Sequence, residues 1–161
     1  MKDSICNIVF GGIGGQGILK ASEICALAAL YDGYHVKKSE VHGMAQRGGS
    51  VESHVRFGKK VYSPLVCNGK ADFLVCFHAD EHYRLEPFLK KGGKDLTVYL
   101  DKAHEAITNP RNLNTFIIGV LSANLKIKEE SWKRALSEVF PKRIFEQNLK
   151  VFFDGRNIGL K

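Results

Sequence analysis

The hydrophobic pattern of about the first hundred residues predicts strands separated by turns. Short apolar runs, rich in β-branched and aromatic residues, lie between polar or glycine-containing stretches. They predict strands at residues 5–10, 34–39, 51–57, 72–77 and 96–100. The first and fourth runs show no alternation, which is typical of strands buried on both faces of a parallel sheet. The third run alternates apolar with polar residues, which predicts a strand half exposed to solvent.

Helical spacing follows the first strand and dominates the end of the chain. Apolar and alanine positions repeat at helical intervals over residues 15–31, and a shorter helix is predicted over residues 79–89, where Pro87 limits its regularity. Further helices are predicted at residues 114–125, 129–140 and 142–153. We therefore expect an α/β fold with three layers, α/β/α, around a mostly parallel sheet, with a helical C-terminal third. Residues 1–161 are expected to form a single domain.

Glycines crowd the turn between the first strand and the first helix. Residues 11–17 have the sequence Gly-Gly-Ile-Gly-Gly-Gln-Gly, which contains a Rossmann-like G-x-G-x-x-G in strand–turn–helix context. A helix that begins after such a turn presents free N–H groups and the positive end of its dipole, which suits phosphate or carboxylate. The alternative is a turn whose glycines serve only close packing of strand and helix. We favour binding, through Gly12, Gly14, Gly15, Gln16 and Gly17.

A second glycine-containing loop, at residues 40–50, carries ionisable and amide side chains with little apolar periodicity. Arg47 beside Gly48 and Gly49 suits an anion, because the glycines expose backbone N–H groups and arginine supplies a fork of donors. The alternative role for Arg47 is a salt bridge to a nearby acid such as Glu52.

The glycine turn is also compatible with a nicotinamide dinucleotide. In such folds an acidic residue near the end of the second strand binds the ribose, and Glu40 lies close to that position. Lys37 and Lys38 would instead favour a 2′-phosphate. A stand-alone NAD(P)-binding oxidoreductase is therefore a second functional hypothesis.

Composition narrows the remaining classes. The 161 residues are 44% hydrophobic and 25% charged, as in ordinary soluble globular proteins. No apolar run approaches the ~20 residues of a membrane span and no signal-peptide pattern follows Met1, so we expect a cytoplasmic protein that contacts no membrane. The net charge of +7 suits an acidic partner, but no recognition motif supports nucleic-acid binding.

Independent catalytic or metal chemistry is not expected of this chain. Its four cysteines lack the spacing of metal ligands, and buried reduced thiols are the better interpretation. His78 and His82 share a helical spacing, but without a positioned carboxylate they are weak evidence for a metal. No Ser–His–Asp or Cys–His set stands out, so no catalytic residue is predicted.

These motifs together resemble a known family. The glycine turn with its alanine-rich helix, and the string at residues 40–51 that contains Gln46-Arg47-Gly48-Gly49-Ser50-Val51, resemble the gamma subunits or domains of 2-oxoacid:ferredoxin oxidoreductases. Within that family the chain is most similar to the small subunit of indolepyruvate:ferredoxin oxidoreductase, although it is rather short for that pattern. The likeness continues at residues 63–66, 69–72 and 148–150, and at Asn114 with Gly119.

The resemblance implies a function for a complex rather than for this chain alone. Family enzymes oxidatively decarboxylate a 2-oxoacid with CoA to acyl-CoA and CO2, and they reduce ferredoxin. The resemblance places thiamine diphosphate and the iron–sulfur clusters on partner subunits. It leaves this chain an interface and contacts with CoA, at residues 12–17 and 47–49. Indolepyruvate or another aryl pyruvate, 2-oxoglutarate and pyruvate all stay open as substrates.

Overall fold

The computed structural model describes residues 4–42 and 48–161. Its strands are β1 Cys6–Ile13, β2 His35–His42, β3 Ser50–Gly58, β4 Ala71–Cys76 and β5 Leu89–Asp95. Its α-helices are α1 Ile18–Tyr31, α2 Ala79–Leu85, α3 Leu100–Ala106, α4 Leu113–Ala123, α5 Glu129–Val139 and α6 Lys142–Gly159. Short 3₁₀ helices precede or follow them at Glu86–Phe88, Leu96–Tyr99 and Pro110–Asn112.

The strands form one mixed sheet in the order β2-β3-β1-β4-β5. β1 pairs with β4, and β4 with β5, in parallel, whereas β3 pairs antiparallel with both β1 and β2. The α/β class is therefore confirmed, and β1, β2, β4 and β5 point the same way. Four of the five strands are thus parallel in direction, as expected, but the sheet is mixed because β3 lies between β2 and β1 and runs antiparallel to both. Residues 43–49 are too few for the crossover that a parallel neighbour needs, so β3 returns beside β2.

The two faces of the sheet are covered unequally. One face packs on α1, α4 and the helices behind them, in a large cluster that includes Phe10, Val55 and the fully buried Trp132. The other face carries a smaller cluster with Val9, Leu74 and other residues, covered by α2 and by the irregular segment at residues 59–70. Both faces are thus covered, as the three-layer prediction requires.

Two predicted element boundaries are wrong near the middle of the chain. The strand predicted at residues 96–100 is instead the 3₁₀ helix Leu96–Tyr99 and the first residue of α3, and the fifth strand is Leu89–Asp95. That strand has little apolar pattern because it is a mostly exposed edge strand, irregularly paired with β4. The helix predicted at residues 79–89 ends at Leu85, and Pro87 lies in the 3₁₀ turn that follows.

The C-terminal helices are confirmed, with one extension. α6 continues to Gly159, although the prediction ends it at residue 153. Gly155 packs against the backbone of α4, where a Cβ would lie 2.0 Å from the Phe116 carbonyl oxygen. The glycines of α6 therefore serve helix–helix contact rather than helix termination. Among the described residues, no helix is both long enough and apolar enough to cross a membrane.

Candidate functional site

The glycine turn at the end of β1 is closed by the side chain of Gln16. Its Oε1 accepts a hydrogen bond from the Ile13 N–H at 2.9 Å, and its Nε2 donates to the Phe77 carbonyl at 2.9 Å. Gln16 thus ties the turn to the chain that follows β4. Because both ends of the amide are committed to the backbone, the geometry gives Gln16 a structural role beside the predicted binding role.

The start of α1 is anchored to α4 at Gly17. Gly17 has φ +77° and forms the N-cap of α1, and the Asn114 Nδ2 donates to its carbonyl at 3.3 Å. A Cβ at Gly17 would lie 2.4 Å from that same nitrogen, so only glycine fits both the backbone conformation and the contact. No side chain caps α1 and its first turn holds no acidic residue. The N-terminal N–H groups of α1 are therefore available to an anion.

The two glycine loops meet in the structure. The Gly14 N–H donates to the Gly49 carbonyl at 2.9 Å, which places Gly48 and Gly49 beside the turn. Gly14 and Gly15 are exposed, whereas Gly12 is buried against Gln16 and Ile18. Both loops of the predicted site therefore lie side by side, while Arg47 lies outside the described residues.

A cleft of about 600 Å³ opens beside the glycine turn. We call it the α1–α4 cleft; it is lined by Gly15, Gln16, Gly17, Lys20, His104, Asn109, Pro110, Arg111, Asn112, Leu113, Asn114, Phe140, Ile144, Gln147 and Asn148. Its described lining includes Lys20, Arg111 and His104 but no Asp or Glu. This volume is in the range of small-molecule sites.

Sequence reasoning missed the cleft residues Lys20, Arg111 and Asn112. Lys20 lies one turn after the glycine motif, and Arg111 and Asn112 directly follow Pro110. Nothing in the local pattern indicates that the two stretches face each other, because about 90 residues of chain separate them. Their approach follows from the packing of α1 against α4.

A network of charged side chains holds the start of β3. The Arg84 guanidinium bonds Glu52 at 2.6 Å and Glu81 at 2.7 Å, and the Ser50 hydroxyl donates to Glu81 at 2.7 Å. Because Ser50 directly follows Gly49, the network fixes the strand that leads out of the second glycine loop. Sequence reasoning missed Arg84 and Glu81 as partners of this strand.

The polar face of β3 is buried, which corrects the predicted half-exposed strand. Glu52 is 8% exposed and His54 is 3% exposed, because α2 and residues 59–70 cover them. The His54 Nδ1 accepts the Val66 N–H at 2.9 Å, so the ring proton lies on Nε2 and is donated to Glu52 at 2.7 Å. This hydrogen bond, with those from Arg84, holds the pKa of Glu52 below its ordinary value despite burial.

Three of the four cysteines are buried or partly buried, whereas Cys67 is exposed and departs from the prediction of buried thiols. Burial raises the pKa of the Cys6 thiol to about 12 and that of Cys25 well above its ordinary value. In the described part of the chain, no group of three or more His, Cys, Asp or Glu side chains could hold a metal ion. The donors of an iron–sulfur cluster are therefore not assembled among these residues.

These features define an α/β protein in which two glycine loops meet at the N-terminus of the first helix, beside a cationic cleft. The family described as pyruvate ferredoxin/flavodoxin oxidoreductase matches residues 7–105 and 95–158. The matches span nearly the whole chain, and the chain belongs to this family. The predicted resemblance is thereby confirmed.

Named relatives agree with the family. The indolepyruvate oxidoreductase subunit IorB of Thermococcus kodakarensis is 53% identical over 87 residues, which are 54% of this chain and 43% of the relative. The chain thus matches less than half the length of that curated relative. The 2-oxoglutarate synthase subunit KorC of Methanocaldococcus jannaschii is 29% identical over 175 residues, covering 94% of this chain and 92% of the relative.

A solved structure shows the same fold. The gamma subunit of a keto/oxoacid ferredoxin oxidoreductase from Geobacter sulfurreducens superposes with a TM-score of 0.78. It is 24% identical, and the match covers 96% of this chain and 98% of the other. The likeness shows that the two chains share the same overall architecture.

Proposed function

We propose that the chain is the small, gamma-type subunit of a 2-oxoacid:ferredoxin oxidoreductase. The complex would oxidatively decarboxylate a 2-oxoacid with CoA, release CO2 and acyl-CoA, and pass the electrons to ferredoxin. The observation that carries the proposal is the family match over residues 7–158, in a chain whose two hallmark glycine loops lie in contact. Residues 1–161 act in it as a single domain.

Partner subunits would supply the redox chemistry. The described residues do not fit an iron–sulfur cluster, since Cys6, Cys25 and Cys76 are separated in β1, α1 and β4 and have raised pKa values. The proposal, following the family resemblance, places thiamine diphosphate and the clusters on other subunits of the complex. This chain would contribute an interface and contacts with CoA, through the exposed Gly14 and Gly15 and the adjoining Gly48 and Gly49. Arg47, which lies outside the described residues, stays a predicted contact.

The substrate proposed first is indolepyruvate or another aryl pyruvate. The 53% identity with an IorB subunit supports it over the part of the chain that aligns. The 29% identity with a KorC subunit extends over almost the whole chain and keeps 2-oxoglutarate as the second substrate to test.

The sheet order argues against the NAD(P) hypothesis. A dinucleotide site of the Rossmann type has its second strand directly beside the first, with the acidic residue at the end of that strand. Here β3 lies between β1 and β2, so Glu40 is carried two strands from β1, about 10 Å in the plane of the sheet. The residue that would bind the ribose is therefore displaced from the glycine turn.

The test is reconstitution of the complex. The tagged chain is purified from its own host without oxygen, and co-purifying subunits are identified by mass spectrometry and by the broad visible absorbance of iron–sulfur clusters. The complex is then assayed with CoA, a viologen acceptor and a panel of 2-oxoacids. We expect activity that is lost when this chain is omitted and restored when it is added back.

Two results would contradict the proposal. One is a solitary, colourless 18.0 kDa chain. The other is a complex whose activity is unchanged by omission of the chain. Titration of the chain with NADH and NADPH tests the NAD(P) hypothesis separately, and we expect no saturable binding up to millimolar concentrations.

A further inference from the structure

The α1–α4 cleft has the charge of an anion site. Lys20 reaches it from the first turn of α1, and Arg111 reaches it from the 3₁₀ turn before α4. Neither forms an ion pair with a described residue, although the Lys20 Nζ lies 5.3 Å from the centre of the Phe140 ring. The described lining of the cleft contains no carboxylate.

Backbone donors add to these side chains. The N-terminus of α1 opens at the cleft through Gly15 and Gly17 and has no side-chain cap. The 3₁₀ turn and α4 present the positive end of a second helical segment to the same space, although the Asn109 side chain caps that segment by accepting the Arg111 N–H. Helix N-termini and paired cations together favour a doubly charged anion such as phosphate.

Asn112 supplies an independent indication of a ligand. It lines the cleft and is only 7% exposed, yet its side-chain amide forms no hydrogen bond with any described residue. Among the described residues, the fully enclosed side-chain polar atoms without a partner are the Thr97 Oγ1 and the Trp132 Nε1, so the unpaired Asn112 amide is open to the cleft rather than sealed in the protein. The neighbouring Asn114 and Asn148, by contrast, are bonded within the protein. The Asn112 amide is therefore free to bond a molecule in the cleft.

We propose that the α1–α4 cleft binds a phosphate ester group, with Lys20, Arg111 and Asn112 as its side-chain donors. The apolar residues Leu113, Phe140 and Ile144 line the same space and suit the organic part of the molecule. The ligand class is thus a phosphorylated organic molecule such as a nucleotide. This inference deepens the proposed function and rests on it only in naming CoA as one source; a free nucleotide is the other.

The test is calorimetric titration of the 161-residue chain at low ionic strength with pyrophosphate, ADP, adenosine 3′,5′-bisphosphate, CoA and dephospho-CoA. We expect one saturable site per chain for at least one phosphate ester. The double variant Lys20→Gln/Arg111→Gln should weaken binding by about tenfold or more, because it removes two charged donors. The matched double variant Lys70→Gln/Lys91→Gln removes the same charge from exposed lysines outside the cleft, and should change affinity by less than about twofold.

A second variant separates binding from folding. Asn112→Asp keeps the size of the side chain and places an acid at a helix N-terminus, where it favours folding. It should nevertheless weaken phosphate binding by about tenfold or more, because the new carboxylate faces the anion. Thermal unfolding of each variant shows whether the fold is intact. Equal loss in the cleft and matched double variants, or no saturable binding by any probe, would overturn the proposal.

The probes also identify the source of the phosphate. Tighter binding of CoA than of ADP and dephospho-CoA indicates the CoA 3′-phosphate, whereas equal binding of ADP indicates a free nucleotide; either result supports the site. Co-purification of iron–sulfur subunits with a chain that lacks phosphate binding would refute the cleft and leave the proposed function standing. Phosphate binding by a chain that purifies alone would support the phosphate site in the cleft and contradict the proposed function.

Discussion

Two groups of glycines in this protein serve opposite purposes. In the contact between α4 and α6, a Cβ at Gly119 would lie 2.0 Å from the Phe152 carbonyl oxygen, and Gly155 is equally tight against α4. In the loops beside the cleft, a Cβ at Gly14 would meet no atom closer than 3.7 Å, and Gly15 and Gly48 face open space. The first group permits close packing of backbone, and the second leaves backbone accessible. A glycine count alone does not distinguish these roles.

The two regions are also held by different forces. The α4–α6 contact lies in the large apolar cluster, around Phe116, Trp132 and Phe152. The loops are held by backbone and charged hydrogen bonds, from Gly14 to Gly49 and from Ser50 through Glu81 to Arg84 and Glu52. The glycine turn contains both kinds, since Gly12 and Gly17 are packed and Gly14 and Gly15 are open. The comparison therefore predicts a graded response to alanine substitution.

The largest effect is expected for Gly119→Ala. Its methyl group would overlap the backbone of α6, and backbone cannot rotate away as a side chain can, so we expect a loss of about 3 kcal/mol in the free energy of unfolding. Urea unfolding measures it. A loss under about 1 kcal/mol would mean that α6 moves readily to accommodate the methyl group. The packed glycines would then respond to substitution no differently from the open ones.

Gly17→Ala should cost about 2 kcal/mol, from the strained φ of +77° and the overlap with Asn114. The double variant Gly17→Ala/Asn114→Ala, compared with Asn114→Ala alone, removes the overlap but keeps the backbone strain. We expect the substitution to cost less in that background. An identical cost in both backgrounds would show that contact with Asn114 is irrelevant.

Glu52→Gln tests the polar side of the comparison. One carboxylate oxygen of Glu52 accepts a hydrogen bond from His54 and the other accepts one from Arg84. The amide of glutamine has a single acceptor oxygen and no charge, so the free energy of unfolding at pH 7 should fall by about 1–2 kcal/mol. Because the folded protein lowers the pKa of Glu52, the wild type loses this stability as the pH falls below the ordinary value of 4.5. Unfolding curves of the two proteins should converge in acid.

The control for that experiment is Glu86→Gln, which changes an exposed glutamate whose side chain forms no hydrogen bond or ion pair with a described residue. It should leave both the stability at pH 7 and its pH dependence unchanged within about 0.5 kcal/mol. A constant difference between wild type and Glu52→Gln at every pH would contradict the role of the ionised carboxylate.

The smallest effect is expected for Gly14→Ala. Its nearest atoms lie at ordinary contact distance and Gly14 has no positive φ, so stability should change by less than about 0.5 kcal/mol. In the reconstituted complex the added methyl group should still lower activity, since the proposal places partner subunits or CoA against this exposed backbone. Full activity would contradict the proposal that Gly14 contacts a partner subunit or CoA. A large loss of stability would contradict the classification of Gly14 as an open glycine.

Local patterns predicted much of the secondary structure. The apolar runs of β1 and β4, the alanine-rich α1 and the amphipathic α5 all lie near their predicted bounds, because each element has a distinct local pattern of apolar residues. Misses occur where local pattern is weak or ambiguous. β5 is a polar edge strand, and the glycines of α6 are typical of helix ends although they pack inside a helix.

The candidate site was predictable only in part. The glycine turn was found because strand, turn and helix are contiguous in sequence, and the contact between Gly14 and Gly49 joins it to the second predicted loop. Lys20, Arg111 and Asn112 could not be found in this way. They share a cleft only because α1 and α4 pack on the same face of the sheet.

The sequence by itself determined the α/β class, the glycine turn and the family, since these depend on residues that are close along the chain. Tertiary structure decided where β3 lies, which buries Glu52 and His54 and carries Glu40 away from β1. It also decided which glycines are packed and which are open, and it assembled the cationic cleft. These features depend on contacts between distant segments, whose geometry local periodicity does not encode.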